Sequence, residues 1–157
     1  MHVFDLFAEH EWDATNDHEG YRHRRIAAGK QLGARLLGGS LYELPPGERT
    51  WPYHYEDGCE EWVIAVTGRP TLRGPDGERE LGPGELAVCP EGPAGAHQVI
   101  NRTDEPCRVL VISSKAPIAV VHYPESGKVG IWSQAEGYQK LLRADATVDY
   151  WEGEDQA

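Results

Sequence analysis

From Arg35 onward, glycine and proline cut the chain into short apolar runs, and this punctuation constrains its fold more than any other feature. The runs are 35–44, 61–67, 69–73, 86–89, 97–101, 108–112, 118–122 and 128–132, mostly rich in Val, Ile and Leu. Between them lie turn signals such as Pro45-Pro46-Gly47, Gly74-Pro75-Asp76-Gly77 and Gly82-Pro83-Gly84. Proline presets φ for a turn and glycine tolerates positive φ, so such clusters reverse the chain. Segments this short at this spacing predict the strands of an all-β sandwich or barrel. Residues 1–34 have a different texture, a polar and charged N-terminal arm with at most a short helix, and 136–143 (Glu136, Tyr138, Leu141, Leu142) suggest one helical turn. The expected organisation is an arm over 1–34, a barrel over 35–132, and a C-terminal extension over 133–157 that packs on the barrel or on a second subunit.

A chain of 157 residues supports one hydrophobic core, which fits a single barrel with tails. Fifteen Lys and Arg stand against 26 Asp and Glu, a net charge of −11, and no basic run offsets it. Such a surface repels phosphate backbones and anionic lipid, so no nucleic-acid and no membrane partner is expected. No apolar stretch reaches the roughly 18 residues of a membrane span, and Met1 to Trp12 carries acids where a signal peptide carries bases. Cys59, Cys89 and Cys107 form no CxxC pair and leave an odd thiol, which suits a reducing compartment. A soluble, cytoplasmic protein is expected.

Four side chains form a constellation with chemistry in it. Residues two apart on a strand share a face, so His54 and Glu56 in Tyr53-His54-Tyr55-Glu56 project together. Glu61 opens the run Glu61-Trp62-Val63-Ile64-Ala65-Val66-Thr67, whose apolar character predicts burial on both faces, with Glu61, Val63, Ala65 and Thr67 on one of them. His97 shares a face with Val99. A carboxylate or imidazole turned into a barrel must be paired, hydrogen-bonded or ligated, because an unpaired buried charge is costly. Coordination of one divalent metal ion by His54, Glu56, Glu61 and His97 meets that need for all four groups.

Gly47, His54, Glu56, Glu61 and Gly68 follow the pattern G-x(5–6)-H-x-H-x(3–4)-E-x(6)-G with one letter changed. Gly84, Pro90, Gly92, His97 and Asn101 follow G-x(5)-P-x-G-x(2)-H-x(3)-N with two extra residues before the histidine. On these motifs, separated by residues 69–83, the chain resembles the cupins. The likeness covers about 40–115, with looser similarity at 123–128 and 149–154 to the tail segments of small bacterial cupins without assigned activity. It implies a cupin jelly-roll β-barrel, a homodimer, and one divalent metal ion (Mn, Fe, Zn or Ni) held by His54, Glu56, Glu61 and His97. Glu56 stands where cupins usually place a second histidine. Two His and two Glu leave a divalent site near neutral rather than at about +1, which softens its Lewis acidity and favours oxygen-tolerant ions such as Mn²⁺ or Fe²⁺. Without Glu56, the other three still make a two-histidine, one-carboxylate triad.

Other features have plainer readings. His2, His10, His18 and His23 are expected to be solvated, and His122 to sit at a surface or edge. Cys59 reads as a small turn residue and Cys89 as core filling. Trp51, Tyr53, Tyr55, Trp62 and Trp132 are expected to pack on the outer barrel face or in a dimer contact, and Asp149 to Glu154 to form a clasp. The functional expectation is a metal-dependent enzyme, an oxygenase or an isomerase/lyase, acting on a small polar organic molecule. The alternative is a non-catalytic module that binds or senses a small molecule, with its metal structural or absent.

Overall fold

The computed structural model describes residues 1–133 and 138–154. Strands β1 (Ala14–Asn16) and β2 (His23–Ile26) come first, followed by one turn of helix, α1 (Ala28–Gln31), and the long strand β3 (Leu37–Leu44). Next come β4 (Tyr55–Asp57), β5 (Glu61–Thr67), β6 (Thr71–Gly74), β7 (Gly77–Glu80) and β8 (Leu86–Cys89). A 3-10 turn at Pro93–Gly95 leads into β9 (Gln98–Ile100), β10 (Cys107–Ser114), β11 (Ile118–Tyr123), β12 (Lys128–Ser133) and β13 (Tyr138–Arg143). Each of the eight apolar runs becomes a strand.

Every strand pairing is antiparallel, and the strands form two walls. One wall is a six-stranded sheet in the order β1-β2-β3-β10-β5-β8. The other combines a four-stranded sheet, β13-β12-β11-β4, with a three-stranded one, β7-β6-β9. Single bridges at Arg49–Ile100 and His54–His97 join the segment leading into β4 to β9, so these two sheets lie side by side. Between the walls lies a core of Tyr42, Leu44, Val63, Ala65, Val109 and Cys107 from the first wall, with Val99 from the second. This is a jelly-roll barrel. None of the helices among the described residues is long and apolar enough to cross a membrane.

Several expectations from sequence are corrected. Strand 61–67 is not buried on both faces: Val63 and Ala65 are fully buried, but Trp62 on the outer face is 41% exposed. The N-terminal region contributes two strands to the six-stranded sheet, and Phe4, Leu6 and Trp12 cover Ile26, Leu41 and Val66 on the outer face. Arg108 fastens this cover by donating to the Ala8 carbonyl at 2.8 Å and lying over the Trp12 ring. His23 is buried, not solvated. Its place on β2 turns it to the barrel interior, edge-on to Tyr42 and Trp51, and its Nδ1–H donates to the Tyr21 carbonyl at 2.9 Å. Tyr138–Arg143 is a strand, β13, paired with β12 along its whole length, where a helical turn was expected. Glu136 of that predicted turn lies outside the described residues. Tyr150 and Trp151 in the 149–154 segment are exposed on the single chain.

Candidate metal centre

The site is built on the pair His54–His97. These residues face each other across an antiparallel bridge, with His97 N–H donating to the His54 carbonyl at 2.8 Å and His54 N–H to the His97 carbonyl at 3.1 Å. Direct opposition in a pleated sheet puts both side chains on one face, and the two rings lie 4.8 Å apart. Each imidazole is oriented by its own backbone. His54 Nδ1–H donates to the Pro52 carbonyl at 2.8 Å and His97 Nδ1–H to the Gly95 carbonyl at 2.9 Å. A carbonyl on Nδ1 fixes the tautomer, so Nε2 is the atom each ring presents to the cavity.

Glu61 approaches from the opposite wall at the start of β5. Its Oε2 lies 3.2 Å from His97 Nε2 and 3.8 Å from His54 Nε2. The three ligand atoms of His54, Glu61 and His97 all lie within 4.8 Å of one another, a group that can hold a metal ion. Two imidazoles with free Nε2 atoms and one carboxylate form a mixed nitrogen and oxygen donor set that suits a divalent transition metal. The carbonyls on both Nδ1 atoms supply the outer support that metal-bound histidines ordinarily have.

The electrostatics agree with this geometry. Burial lowers the pKa of His54, and the charge of His97 lowers it further, against the raising effect of Glu61. Burial opposes a charge on His97 too, but hydrogen bonding with Cys89 and Glu61 outweighs it and pushes the pKa up to about 10. Burial alone would raise Glu61, yet the hydrogen bond and charge of His97 hold its carboxyl below the usual range. One proton bridging His97 and Glu61 is therefore what a cation at this point would displace.

Glu56 stands outside that three-residue group. It lines the same cavity, on β4 opposite Val121 of β11, with its carbonyl accepting from Gly92 N–H at 2.8 Å. Burial, together with the negative charge of Glu61, raises its carboxyl to about 7. Cys59 is buried in the cavity wall, hydrogen-bonded with Glu56. His122 lies at the barrel surface, as expected there, stacked on Tyr55 and bonded to Asp57 at 2.8 Å.

The cavity measures about 830 Å³, within the range of small-molecule sites. Sequence reasoning placed Trp51 and Trp132 on the outer face or in a dimer contact; both line this cavity instead, along with Tyr42 and Tyr123. Gly38 lies against Ser113: a Cβ there would stand 2.5 Å from the Ser113 hydroxyl, which would have to rotate, and Ser113 reaches the cavity beside Glu61 in the strand register. Arg25, which no sequence motif indicated, also lines the wall.

The model of the cupin domain matches residues 40–113, the segment that carries His54, Glu61 and His97. No curated protein matches the chain. Among solved structures, it is similar to a candidate sugar phosphate isomerase of Acidithiobacillus ferrooxidans (28% identity, TM-score 0.74, 83% of this chain and 82% of that one). A sugar phosphate isomerase of the cupin superfamily from Silicibacter pomeroyi is similar over the same shares, at 25% identity and TM-score 0.74. The polyketide cyclase RemF of Streptomyces resistomycificus is similar over 61% of this chain and 66% of its own, at 26% identity and TM-score 0.50. The domain match over residues 40–113, the jelly-roll architecture and the neighbours together support a small cupin-type protein.

Proposed function

We propose that this cupin is a metal-dependent enzyme that isomerises a small polar molecule of the sugar phosphate class. The observation that carries the reading is the convergence of two Nδ1-anchored histidines and Glu61 in a cavity large enough for such a substrate. The names of the two similar structures from Acidithiobacillus ferrooxidans and Silicibacter pomeroyi support the substrate class.

His54, Glu61 and His97 are the proposed ligands. A divalent ion held by these residues would supply Lewis acidity toward substrate oxygens. Glu56, two residues beyond His54 on the same face of the chain, carries the carbon-bound proton: its carboxylate takes it from one carbon and returns it to the neighbouring carbon, while the hydroxyl proton passes from one of the two substrate oxygens to the other. Protons and electrons balance without a further reactant. Trp51 and Trp132 offer flat apolar surfaces to the carbon skeleton.

The test has two parts. Elemental analysis of protein purified without added metal is expected to show a stoichiometric divalent ion in the wild type and none in His97→Ala. Proton NMR in D₂O with aldose and ketose phosphates is expected to show exchange at the carbon beside the carbonyl, abolished in Glu56→Gln. Absence of a stoichiometric ion overturns the metal site. A loaded protein that binds these phosphates without exchange overturns the enzyme in favour of a binding or sensing module.

A further inference from the structure

We infer that Arg25 is the anchor for an anionic oxygen group, phosphate or carboxylate, on the molecule that enters this cavity. The inference rests on the proposed reading for the identity of the substrate, but the anchor is argued from the charge arrangement of the wall.

Strand β2 pairs Arg25 with Tyr42 of β3, and Tyr42 in turn pairs with Val109 of β10. Tyr42 and Val109 belong to the interior core, and paired residues share a face, so Arg25 points inward. Its neighbour Arg24 points outward, where it meets Glu43 together with Arg108. The alternation therefore delivers one guanidinium to the cavity that contains His54, Glu61 and His97.

Arg25 is half-buried, and among the described residues its side chain makes no hydrogen bond and no ion pair, although its backbone carbonyl accepts from Asp13 N–H at 3.0 Å. Three other sheltered charges are matched: Glu48 takes Arg22 at 2.6 Å, Arg108 takes Glu43 at 2.9 Å, and Glu61 takes His97. Lys115 also lines the cavity, but its Nζ already donates to the Ala34 carbonyl at 3.1 Å. Guanidinium does not lose its proton, so Arg25 cannot escape the cost of shelter by neutralising. In a chain with 26 acids against 15 bases, an inward arginine without a carboxylate leaves the counter-charge to a ligand. The fork geometry of guanidinium suits two oxygens of one phosphate or carboxylate. Trp51 and Trp132 line the same cavity, so a molecule held at Arg25 can lay its carbon skeleton along their rings.

The test uses the full-length protein, metal-loaded and chelated, and follows its tryptophan fluorescence on titration with D-ribose 5-phosphate, D-ribonate and uncharged D-ribose. Ribose 5-phosphate, ribonate or both are expected to bind the wild type well above ribose, and their order tells whether phosphate or carboxylate is the preferred group. Arg25→Gln is expected to weaken binding of the preferred anion by about 10- to 100-fold, with Arg25→Lys in between and ribose unaffected. Inorganic phosphate is expected to compete for the wild-type site, a measurement that needs no variant to fold. Undiminished anion binding by folded Arg25→Gln overturns the inference. So does equal binding of ribose and the two anions, or failure of phosphate to compete. Arg25-dependent binding in a protein that purifies without a stoichiometric ion leaves this inference standing while the metal-dependent reading falls, and metal-dependent exchange untouched by Arg25→Gln gives the reverse.

Discussion

Gly95 carries the tightest constraint on the site, and replacing it with alanine separates the geometry of the centre from its chemistry. A Cβ at position 95 would stand 1.6 Å from the Pro90 carbonyl oxygen, 2.7 Å from its carbon and 2.9 Å from its nitrogen. All three atoms are backbone, so no flexible side chain can yield. The turn must move by about 1.5 Å to restore an ordinary contact, and overpacking of this kind costs about 1–3 kcal/mol. The Gly95 carbonyl is also the acceptor for His97 Nδ1–H at 2.9 Å, so the displacement passes directly to the imidazole. Loss of such an outer partner typically reduces metal affinity about 10- to 100-fold. Thermal unfolding in chelator is expected to show Gly95→Ala melting about 3–10 °C below wild type. Competitive titration with a fluorescent chelator should show the weaker affinity. A variant with unchanged melting temperature and unchanged metal affinity would refute both the packing argument and the role of this carbonyl.

Further predictions follow from particular residues. His23 is held below its ordinary pKa, first by burial, so the unfolded chain binds more protons there and its contribution to stability falls as pH drops through about 6.5; melting temperatures at pH 8 and 5.5 should show a smaller loss in His23→Asn than in wild type. Asn101 is fully buried and its amide donates to the Leu44 carbonyl at 3.0 Å and the Glu105 carbonyl at 2.8 Å; Asn101→Ala leaves both acceptors short and should lower unfolding free energy by about 2–4 kcal/mol in denaturant titration. The Cys107 thiol is fully buried, and burial, with Glu43 nearby, pushes its pKa up to about 12, so a thiol reagent at pH 8 should leave it unmodified until the protein is unfolded. Glu61 comes from one wall and both histidines from the other, so a bound ion clips the two sheets together; at about a thousandfold excess over Kd it should add roughly 4 kcal/mol to stability, seen as a rise in melting temperature that Glu61→Gln abolishes.

The parts of the fold that show in the sequence are those where two physical signals agree. Strands β3, β5, β10, β11 and β12 each bury apolar side chains in the barrel and end at a turn, so pattern and punctuation coincide. The elements that escape notice lack that coincidence. Strand β7, Gly77–Glu80, is exposed along its whole length and owes its existence to pairing with β6, not to burial. Strand β2, His-Arg-Arg-Ile, turns His23 and Arg25 inward and puts its isoleucine under the N-terminal cover, an inversion that reads as a solvated arm. In β13 the adjacent Leu141 and Leu142 with Tyr138 mimic helical spacing, and pairing with β12 overrides it. Trp62 is half in water because the cover over the outer face is built from Phe4, Leu6 and Trp12 and reaches Val66 instead.

The site divides along the same line. His54, Glu61 and His97 are legible because their positions follow from strand alternation and motif spacing, and the structure gathers those three. Their fine orientation is a backbone property: each histidine is steered by the carbonyl two residues before it, Pro52 for His54 and Gly95 for His97. The two residues inserted before His97 therefore do not cost the site its geometry, because Pro93–Gly95 folds into a 3-10 turn that presents the Gly95 carbonyl to the imidazole. Glu56 shares a strand face with His54, but alternation fixes only the face. Where along that face a carboxylate ends up depends on its length and on its neighbours, here Cys59 and the charge of Glu61. Arg25 is the least legible of all, because its significance is that its side chain lacks a partner among the described residues, and pairing between Arg24, Arg108 and Glu43 is decided only when three strands meet.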